Sequence, residues 1–252
     1  MDPIRAAWAD QQAELASLLD GLADGDWERP TPRCPGWEVR DVVLHLAQTN
    51  EMAIGSATHR FDEVLAGLTE GLPAAGDVDA GAAAMVARDH DTPPAEIHER
   101  WRRGVDELAA VFDGADLHDR VTWVVGTLSV RTLLTTRLSE TWIHTGDVGD
   151  AIGTEPAPTD RLEHVARLAW RTLPYAFAKD GRELSGPVMF DLVAPSGAAW
   201  RFVPDEPPET QVTGSGAQLC RVAARRLDPA DSDLRATGAD GAAVLELVRT
   251  YA

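Results

Sequence analysis

Lysine, cysteine and long apolar runs are scarce in this 252-residue sequence. Lys179 is the only lysine, and 41 acidic residues against 23 basic ones give a formal net charge of −18. Most of such a surface would repel a phosphate backbone, so the composition argues against a nucleic-acid partner. No apolar segment approaches the roughly 20 residues that a membrane-spanning helix needs. The N-terminal segment lacks the basic and apolar regions of a signal peptide, and we therefore expect a cytoplasmic protein that does not bind membranes.

The two cysteines, Cys34 and Cys220, are far apart and form no CxxC pair, which excludes a zinc knuckle built from them alone. In a reducing cytosol we expect no disulfide between them. Cys34, in "TPRCPGW", is a candidate catalytic thiol. Inert buried or half-buried thiols are far commoner, and we favour that interpretation.

Helical spacing of apolar residues predicts four helices in the first part of the chain, over about 3–22, 37–57, 95–113 and 127–152. Residues 71–94 are rich in Gly, Ala and Asp and are predicted to form a loop with at most a short helical turn. Four helices with one long connection are typical of a four-helix bundle with a crossover.

The composition and the hydrophobic pattern change near residue 155, at a Pro-rich linker. The later segments predict a helix, a hairpin in "GPVMFDLVAPSGAAWRFVP", a third strand in "ETQVTG", and two short helices flanking a further strand in "SDLRATG". We therefore predict an α+β protein with two domains, a helical bundle over 1–154 and a smaller α+β domain over 155–252.

The helix that contains "RLSETWIHTGDVGDAIG" carries a polar stripe of Arg137, Glu140, His144 and Asp147. Their spacings of three, four and three place them on one face. The helix is apolar on most other sides, which favours burial, and the stripe would then face the interior. Glu140 and His144, four residues apart, can converge on one cation. The alternative is an ordinary surface pair of these two residues with Arg137.

A catalytic zinc needs a third protein ligand besides an open position. His45, in "VRDVVLHLAQ", has the most apolar surroundings of any histidine here, although alone it would be read as a core histidine bonded to a backbone carbonyl. Together with Glu140 and His144 it completes a His/Glu/His triad across two helices. The remaining histidines lie in more polar contexts and are expected to be solvated: His59, His90, His98, His118 and His164.

The segments "TPRCPGWEVRDVVLHLA" and "RLSETWIHTGDVGDAIG" resemble the mycothiol-dependent maleylpyruvate isomerase family, whose bundle belongs to the wider DinB-like superfamily. The resemblance extends through the second domain, in "PVMFDLVAPSGAAWRFVP" and "VTGSGAQLCRVAARRLDPADSDL". Within the family the sequence is most similar to actinobacterial members of unassigned function. An actinobacterial source agrees with the preference for Arg over Lys, which is typical of a GC-rich genome.

The resemblance implies that His45, Glu140 and His144 are the metal ligands, with Asp147 orienting His144 or a neighbouring helix. Asp41 is implied either to support a ligand or to be a solvated carboxylate of the first turn, and Trp37 is expected to pack the helix start. The family's second domain contributes an arginine to the active site, for which Arg225 and Arg226 are the candidates. The glycine that usually precedes that arginine is absent here.

The implied function is that of an enzyme that uses zinc or another divalent metal to activate mycothiol. The thiolate would add to the cis double bond of a substrate such as maleylpyruvate, and elimination after bond rotation would complete a cis–trans isomerisation. The same site would serve S-transfer to a small electrophile. Two alternatives stay open: a non-catalytic protein that binds a small molecule or a metal, and a hydrolase that uses zinc-bound water. The sequence does not indicate the substrate or the oligomeric state.

Overall fold

The structure is a computed structural model that describes residues 2–250. Its contacts divide the chain into two compact units, one ending at Pro156 and the other beginning at Ala157. Each unit is described by itself below.

Four long helices form the body of the first unit. They are α1 (Pro3–Asp20), α2 (Val39–Ala57), α5 (Pro94–Gly114) and α6 (Val130–Ile152), with two shorter helices, α3 (Phe61–Leu68) and α4 (Val78–Asp89), and a hairpin of β1 (Arg120–Trp123) and β2 (Gly126–Ser129) between them. Helix α2 packs against α5 and α6, and α1 packs against α6. The predicted four-helix bundle is confirmed.

Local sequence signals fix where the helices begin and end. The Asp2 carboxylate accepts a hydrogen bond from the backbone N–H of Ile4 at the start of α1. Ser129 does the same for Thr132 at the start of α6. Such caps satisfy N–H groups that have no partner within the helix. Helix α6 is terminated by Gly153, the residue that follows its last residue. The φ of Gly153 is 75°, in the left-handed region that glycine adopts without steric cost.

The bundle core is built from the apolar stripes that helical spacing predicts. Leu15, Val43, Leu44, Ile97 and Trp101 are buried in one cluster that joins α1, α2 and α5. Each fully buried aliphatic or aromatic side chain stabilises the fold by about 1.5–3 kcal/mol relative to an exposed one. The positions of the candidate ligands on α2 and α6 are therefore held by tight packing of the helices that carry them.

One local prediction for this unit is wrong, and one hairpin was not predicted. The segment predicted to be a loop contains α4, which is capped by the Asp77 carboxylate but buries only Met85 and Val86. Its many alanines carry little periodic signal. The β1–β2 hairpin immediately before α6 was also not predicted, because each of its strands has only four residues.

The second unit combines short helices with one mixed sheet. The helices are α7 (Leu162–Arg171), α8 (Leu173–Lys179), α9 (Gly216–Ala223) and α10 (Gly241–Leu247), and the strands are β3 (Val188–Val193), β4 (Ala199–Phe202), β5 (Thr210–Ser215) and β6 (Arg235–Gly238). The strand order is β4-β3-β5-β6, with β3 and β5 parallel. The single helix predicted after residue 155 is divided at Thr172, two residues before Pro174.

The two units together confirm the α+β class, since helices dominate the first and a four-stranded sheet organises the second. Among residues 2–250, no helix combines the length and the apolar character needed to cross a bilayer.

Candidate metal centre

Three side chains from two helices converge inside the bundle. His45 projects from α2, and Glu140 and His144 project from α6. The Oε2 atom of Glu140 lies 3.5 Å from Nε2 of His45 and 3.6 Å from Nε2 of His144. One ligand atom from each of the three residues lies within 4.8 Å of the other two.

The triad is largely shielded from solvent. The side chains of His45, Glu140 and His144 are 12%, 23% and 10% exposed. The two imidazoles meet edge to face, with ring centroids 5.1 Å apart, and the centroid of the tilted Trp37 ring lies 5.4 Å from that of His45. Trp37 therefore contacts a candidate ligand as well as lying beside the start of α2.

The spacing of these donors fits a metal ion better than direct hydrogen bonds. A good N–H···O bond spans about 2.7–3.2 Å, shorter than both N–O distances here. Ligands of a tetrahedral zinc at about 2.0–2.1 Å are separated from one another by roughly 3.3–3.4 Å. Two imidazole nitrogens and one carboxylate oxygen are also the donor set of known catalytic zinc sites with an open position.

Asp147 holds His144 in the tautomer that a metal requires. Its Oδ2 atom lies 2.9 Å from Nδ1 of His144, so the neutral imidazole donates Nδ1–H to the carboxylate and leaves the Nε2 lone pair facing Glu140. Asp147 is 1% exposed, which strengthens this bond. A carboxylate behind a ligating histidine is the usual support in metal sites.

Cys34 lies closer to the triad than its sequence context suggested. Its Sγ atom donates to Oδ2 of Asp147 at 3.3 Å, and Cys34, His144 and Asp147 form a second group of closely spaced donor atoms. Cys34 is half-buried, as the sequence favoured. The contact was missed because the loop that holds Cys34 has no periodicity from which its direction can be inferred.

The protonation states of the triad follow from burial and from these contacts. Burial lowers the pKa of His45 despite the opposing effect of Glu140, so this imidazole is neutral at pH 7. Burial disfavours charge on His144 and Glu140 as well, but the contacts of each residue with its polar and oppositely charged neighbours have the larger combined effect. Asp147, Cys34 and Glu140 raise the pKa of His144 well above its usual value, and the two histidines hold the pKa of Glu140 well below its own. Without a metal, the site is therefore an imidazolium–carboxylate pair beside a neutral imidazole.

Asp41 has a different set of partners from those expected. It accepts a hydrogen bond from the backbone N–H of Glu38 at 2.9 Å and pairs with Nδ1 of His90 at 2.8 Å. The alternative of a solvated carboxylate is wrong, because Asp41 is 2% exposed. Nδ1 of His45 has no hydrogen-bond partner among residues 2–250, so no contact of Asp41 supports that ligand. The structure places Asp41 at the start of α2, where it caps the helix and ties it to His90.

The expectation that His98 is solvated is also wrong. Its ring stacks on Trp101 with centroids 6.0 Å apart and lies 5.7 Å from Trp27. Burial and the charge of Arg102 lower its pKa. His98 belongs to α5, whereas the candidate ligands all come from α2 and α6.

Arg137, the fourth member of the polar stripe, faces the interior. It is 1% exposed, which rules out the surface pair considered as an alternative. Its Nη2 atom donates to Oγ1 of Thr49 at 3.0 Å, and its guanidinium lies 5.9 Å from the centroid of the Trp123 ring.

Arg225 and Arg226 lie in the second unit, directly after α9. Arg225 adopts a φ of 58° and donates from Nη1 to the carbonyl of Glu246 at 2.8 Å. Arg226 donates from Nη1 to the carbonyl of Ala224 at 3.0 Å. Their participation in the site stays a prediction.

Comparison with known proteins identifies the family of the chain. The family model described as the mycothiol maleylpyruvate isomerase N-terminal domain matches residues 8–149, a span that contains all three members of the triad. Two uncharacterized proteins from different strains of Mycobacterium tuberculosis are each 34% identical over 257 residues, covering 97% of this chain and 94% of theirs.

Two solved structures share the fold. They are the crystal structures of the mycothiol-dependent maleylpyruvate isomerase and of a histidine-to-alanine mutant of it. Each aligns with a TM-score of 0.59 and 20% identity, covering 93% of this chain and 91% of the other. The likeness therefore spans both units, and the resemblance identified from the sequence is confirmed.

Proposed function

The chain belongs to the mycothiol maleylpyruvate isomerase family, and from this we propose that it is a divalent-metal-dependent enzyme that activates a low-molecular-weight thiol such as mycothiol. Zinc is the metal we favour. The observation that carries the proposal is the convergence of two imidazole nitrogens on one carboxylate oxygen at 3.5 and 3.6 Å in a shielded interior. A site for binding an organic molecule alone has no need of such a donor set.

A divalent metal held by His45, Glu140 and His144 would lower the pKa of a thiol at its open position towards neutrality. The residues of the chain prepare for this. His45 is already neutral and presents Nε2. Asp147 holds one proton of His144 on Nδ1, so a metal would displace only the proton on Nε2. Glu140 is ionised, and it supplies the one anionic ligand.

The activated thiol would react with a small electrophile in one of two ways. Addition to a cis double bond, rotation and elimination give isomerisation and regenerate the thiol. Attack that displaces a leaving group gives S-transfer and consumes the thiol. The family name supports the first, and the candidate ligands suit both equally.

A thermal-shift experiment tests the proposal directly. We expect mycothiol to raise the melting temperature of the zinc-loaded protein and to leave the metal-free protein unchanged. Glu140→Gln should abolish the effect because it removes the anionic ligand, whereas Glu107→Gln, at an exposed position on α5, should retain it. Turnover is then measured with maleylpyruvate and with an aromatic chloride, each with and without mycothiol.

The same measurements identify the alternatives. Stabilisation by mycothiol without metal would contradict the proposal in favour of a binding protein. Ester hydrolysis in thiol-free buffer, with no response to mycothiol, would contradict it in favour of a hydrolase.

A further inference from the structure

Arg137 is a buried cation that forms no ion pair with a carboxylate among residues 2–250. Within the same residues, its Nη2 atom donates to the hydroxyl of Thr49, and its buried Nε atom has no hydrogen-bond partner. Its guanidinium also lies 5.9 Å from the centroid of the Trp123 ring. Burial lowers the pKa of this guanidinium against the opposing charge of Glu140, which acts on it from beyond ion-pair distance.

The fold does not need a charge at this position. An isolated buried charge is costly, and replacing buried charges with apolar side chains of similar size is often neutral or stabilising. A long uncharged side chain would keep the contact with the Trp123 ring, and a glutamine would keep a donor for Thr49. Packing therefore accounts for the length of the Arg137 side chain but not for its charge.

Arg137 lies one helical turn from Glu140, and its hydrogen-bond partner lies one turn from His45. It precedes Glu140 by three residues on α6, and its partner Thr49 follows His45 by four residues on α2. Burial and the contacts within the triad have the largest effects on the pKa values of His45 and Glu140. The charge of Arg137 also acts to lower both pKa values. The guanidinium thus acts electrostatically on ligands from both helices.

With a divalent ion at the triad, the nearby charges would leave one positive charge that a further anion could neutralise. Glu140 and Asp147 together offset the two charges of a divalent ion, since both histidines bind a metal in their neutral form. Arg137 then remains as one uncompensated positive charge in a shielded site. Its field favours an anionic donor over a neutral one at the open position, and water screens this effect little at such depth.

We propose that Arg137 is a positioning residue that acts through its charge, making the open metal position selective for a single anionic donor, such as a thiolate, over a neutral donor. This inference rests on the proposed function, because it requires a metal at the triad. It assigns a role to the one member of the polar stripe that neither binds the metal nor supports a ligand.

The test uses the full-length protein loaded with Co²⁺, whose visible absorption reports each new ligand. Azide serves as the anionic probe and imidazole as the neutral one. We expect Arg137→Met and Arg137→Gln to weaken azide binding roughly tenfold or more, as a lost charge in a shielded site implies. Imidazole binding should change less than about twofold, and Arg137→Lys should keep most of the azide affinity because it keeps the charge.

Stability provides the second readout. An uncompensated charge predicts that Arg137→Met unfolds at the same or a higher urea concentration than the parent protein. Unchanged azide affinity in both uncharged variants, or a loss of stability in both, would overturn the inference. If the parent protein binds no Co²⁺, the proposed function fails and this inference fails with it. If all variants bind Co²⁺ normally but azide selectivity does not change, only this inference fails.

Discussion

At the scale of single residues, Asp147 controls what His144 can offer to a metal. A buried imidazole without this carboxylate could place its proton on either nitrogen. The 2.9 Å contact with Nδ1 fixes the choice. It also raises the basicity of the ligand, as carboxylate partners of metal-bound histidines do elsewhere.

Asp147→Ala should weaken metal binding by about 10- to 100-fold, because the proton of His144 is no longer held on Nδ1. Competition against a chromophoric chelator measures the affinity. Asp150→Ala is the matched control, since Asp150 lies about one turn further along, is 46% exposed and forms a long ion pair of 3.8 Å with Arg33. Equal affinities in the two variants would mean that Asp147 has no such role.

The thiol of Cys34 contacts the same carboxylate, Asp147. Because its thiol donates to Asp147, which supports His144, and is not one of the three candidate ligands, Cys34→Ala should retain one metal per chain and weaken binding less than Asp147→Ala does. Metal content and chelator competition measure both quantities. Complete loss of metal from Cys34→Ala would instead identify the thiol as a ligand.

At the scale of elements, helix α6 explains why part of the site was predictable. Over its 23 residues, helical periodicity separates an inward stripe from the rest, so the sequence alone places Glu140, His144 and Asp147 on one face. The partners of Asp41 and Cys34 were not predictable in this way. They depend on His90 and on a loop, whose positions are fixed by tertiary packing and not by periodicity.

The start of α2 carries a pH-dependent contact between Asp41 and His90. The hydrogen bond and charge of Asp41 raise the pKa of His90. Because the folded pKa is the higher one, the pair stabilises the protein fully below the unfolded value of about 6.5, and the contribution is lost as pH rises through the folded pKa. His90 is 45% exposed, so we expect an effect of at most about 0.5 kcal/mol.

Urea unfolding of the parent protein and of His90→Gln, between pH 5 and pH 9, measures this contribution. The difference in unfolding free energy should be largest at pH 5 and shrink towards zero at pH 9. The exposed His118→Gln serves as the control and should show no such trend. A difference that does not vary with pH would refute the assignment.

The C-terminal end of α6 depends on a glycine. A Cβ atom at Gly149 would meet the carbonyl of Thr154 and approach Cδ of Pro156 to 3.0 Å, so the chain after α6 would have to move. We expect Gly149→Ala to cost about 1–3 kcal/mol of unfolding free energy. Gly146→Ala, on the same helix with open space around it, should gain about 0.5–1 kcal/mol. Urea midpoints compare the two, and a stable Gly149→Ala would contradict the packing described.

At the scale of the whole molecule, the sequence revealed the order of the two units because their patterns differ. Long helical periodicities occupy the first, and alternating short strands occupy the second. The break between α7 and α8 and the existence of α4 depend on local details, a proline and a run of alanines, that weaken the periodic signal. No sequence periodicity predicts whether Arg225 or Arg226 contributes to the site.

We expect the first unit of the protein to bind one divalent metal through His45, Glu140 and His144. The most direct measurement is the metal content of the purified protein after zinc titration and desalting, repeated for His45→Ala and Glu140→Ala. We predict one zinc per chain in the parent protein and little or none in either variant. A parent protein that remains metal-free after zinc titration would contradict the claim.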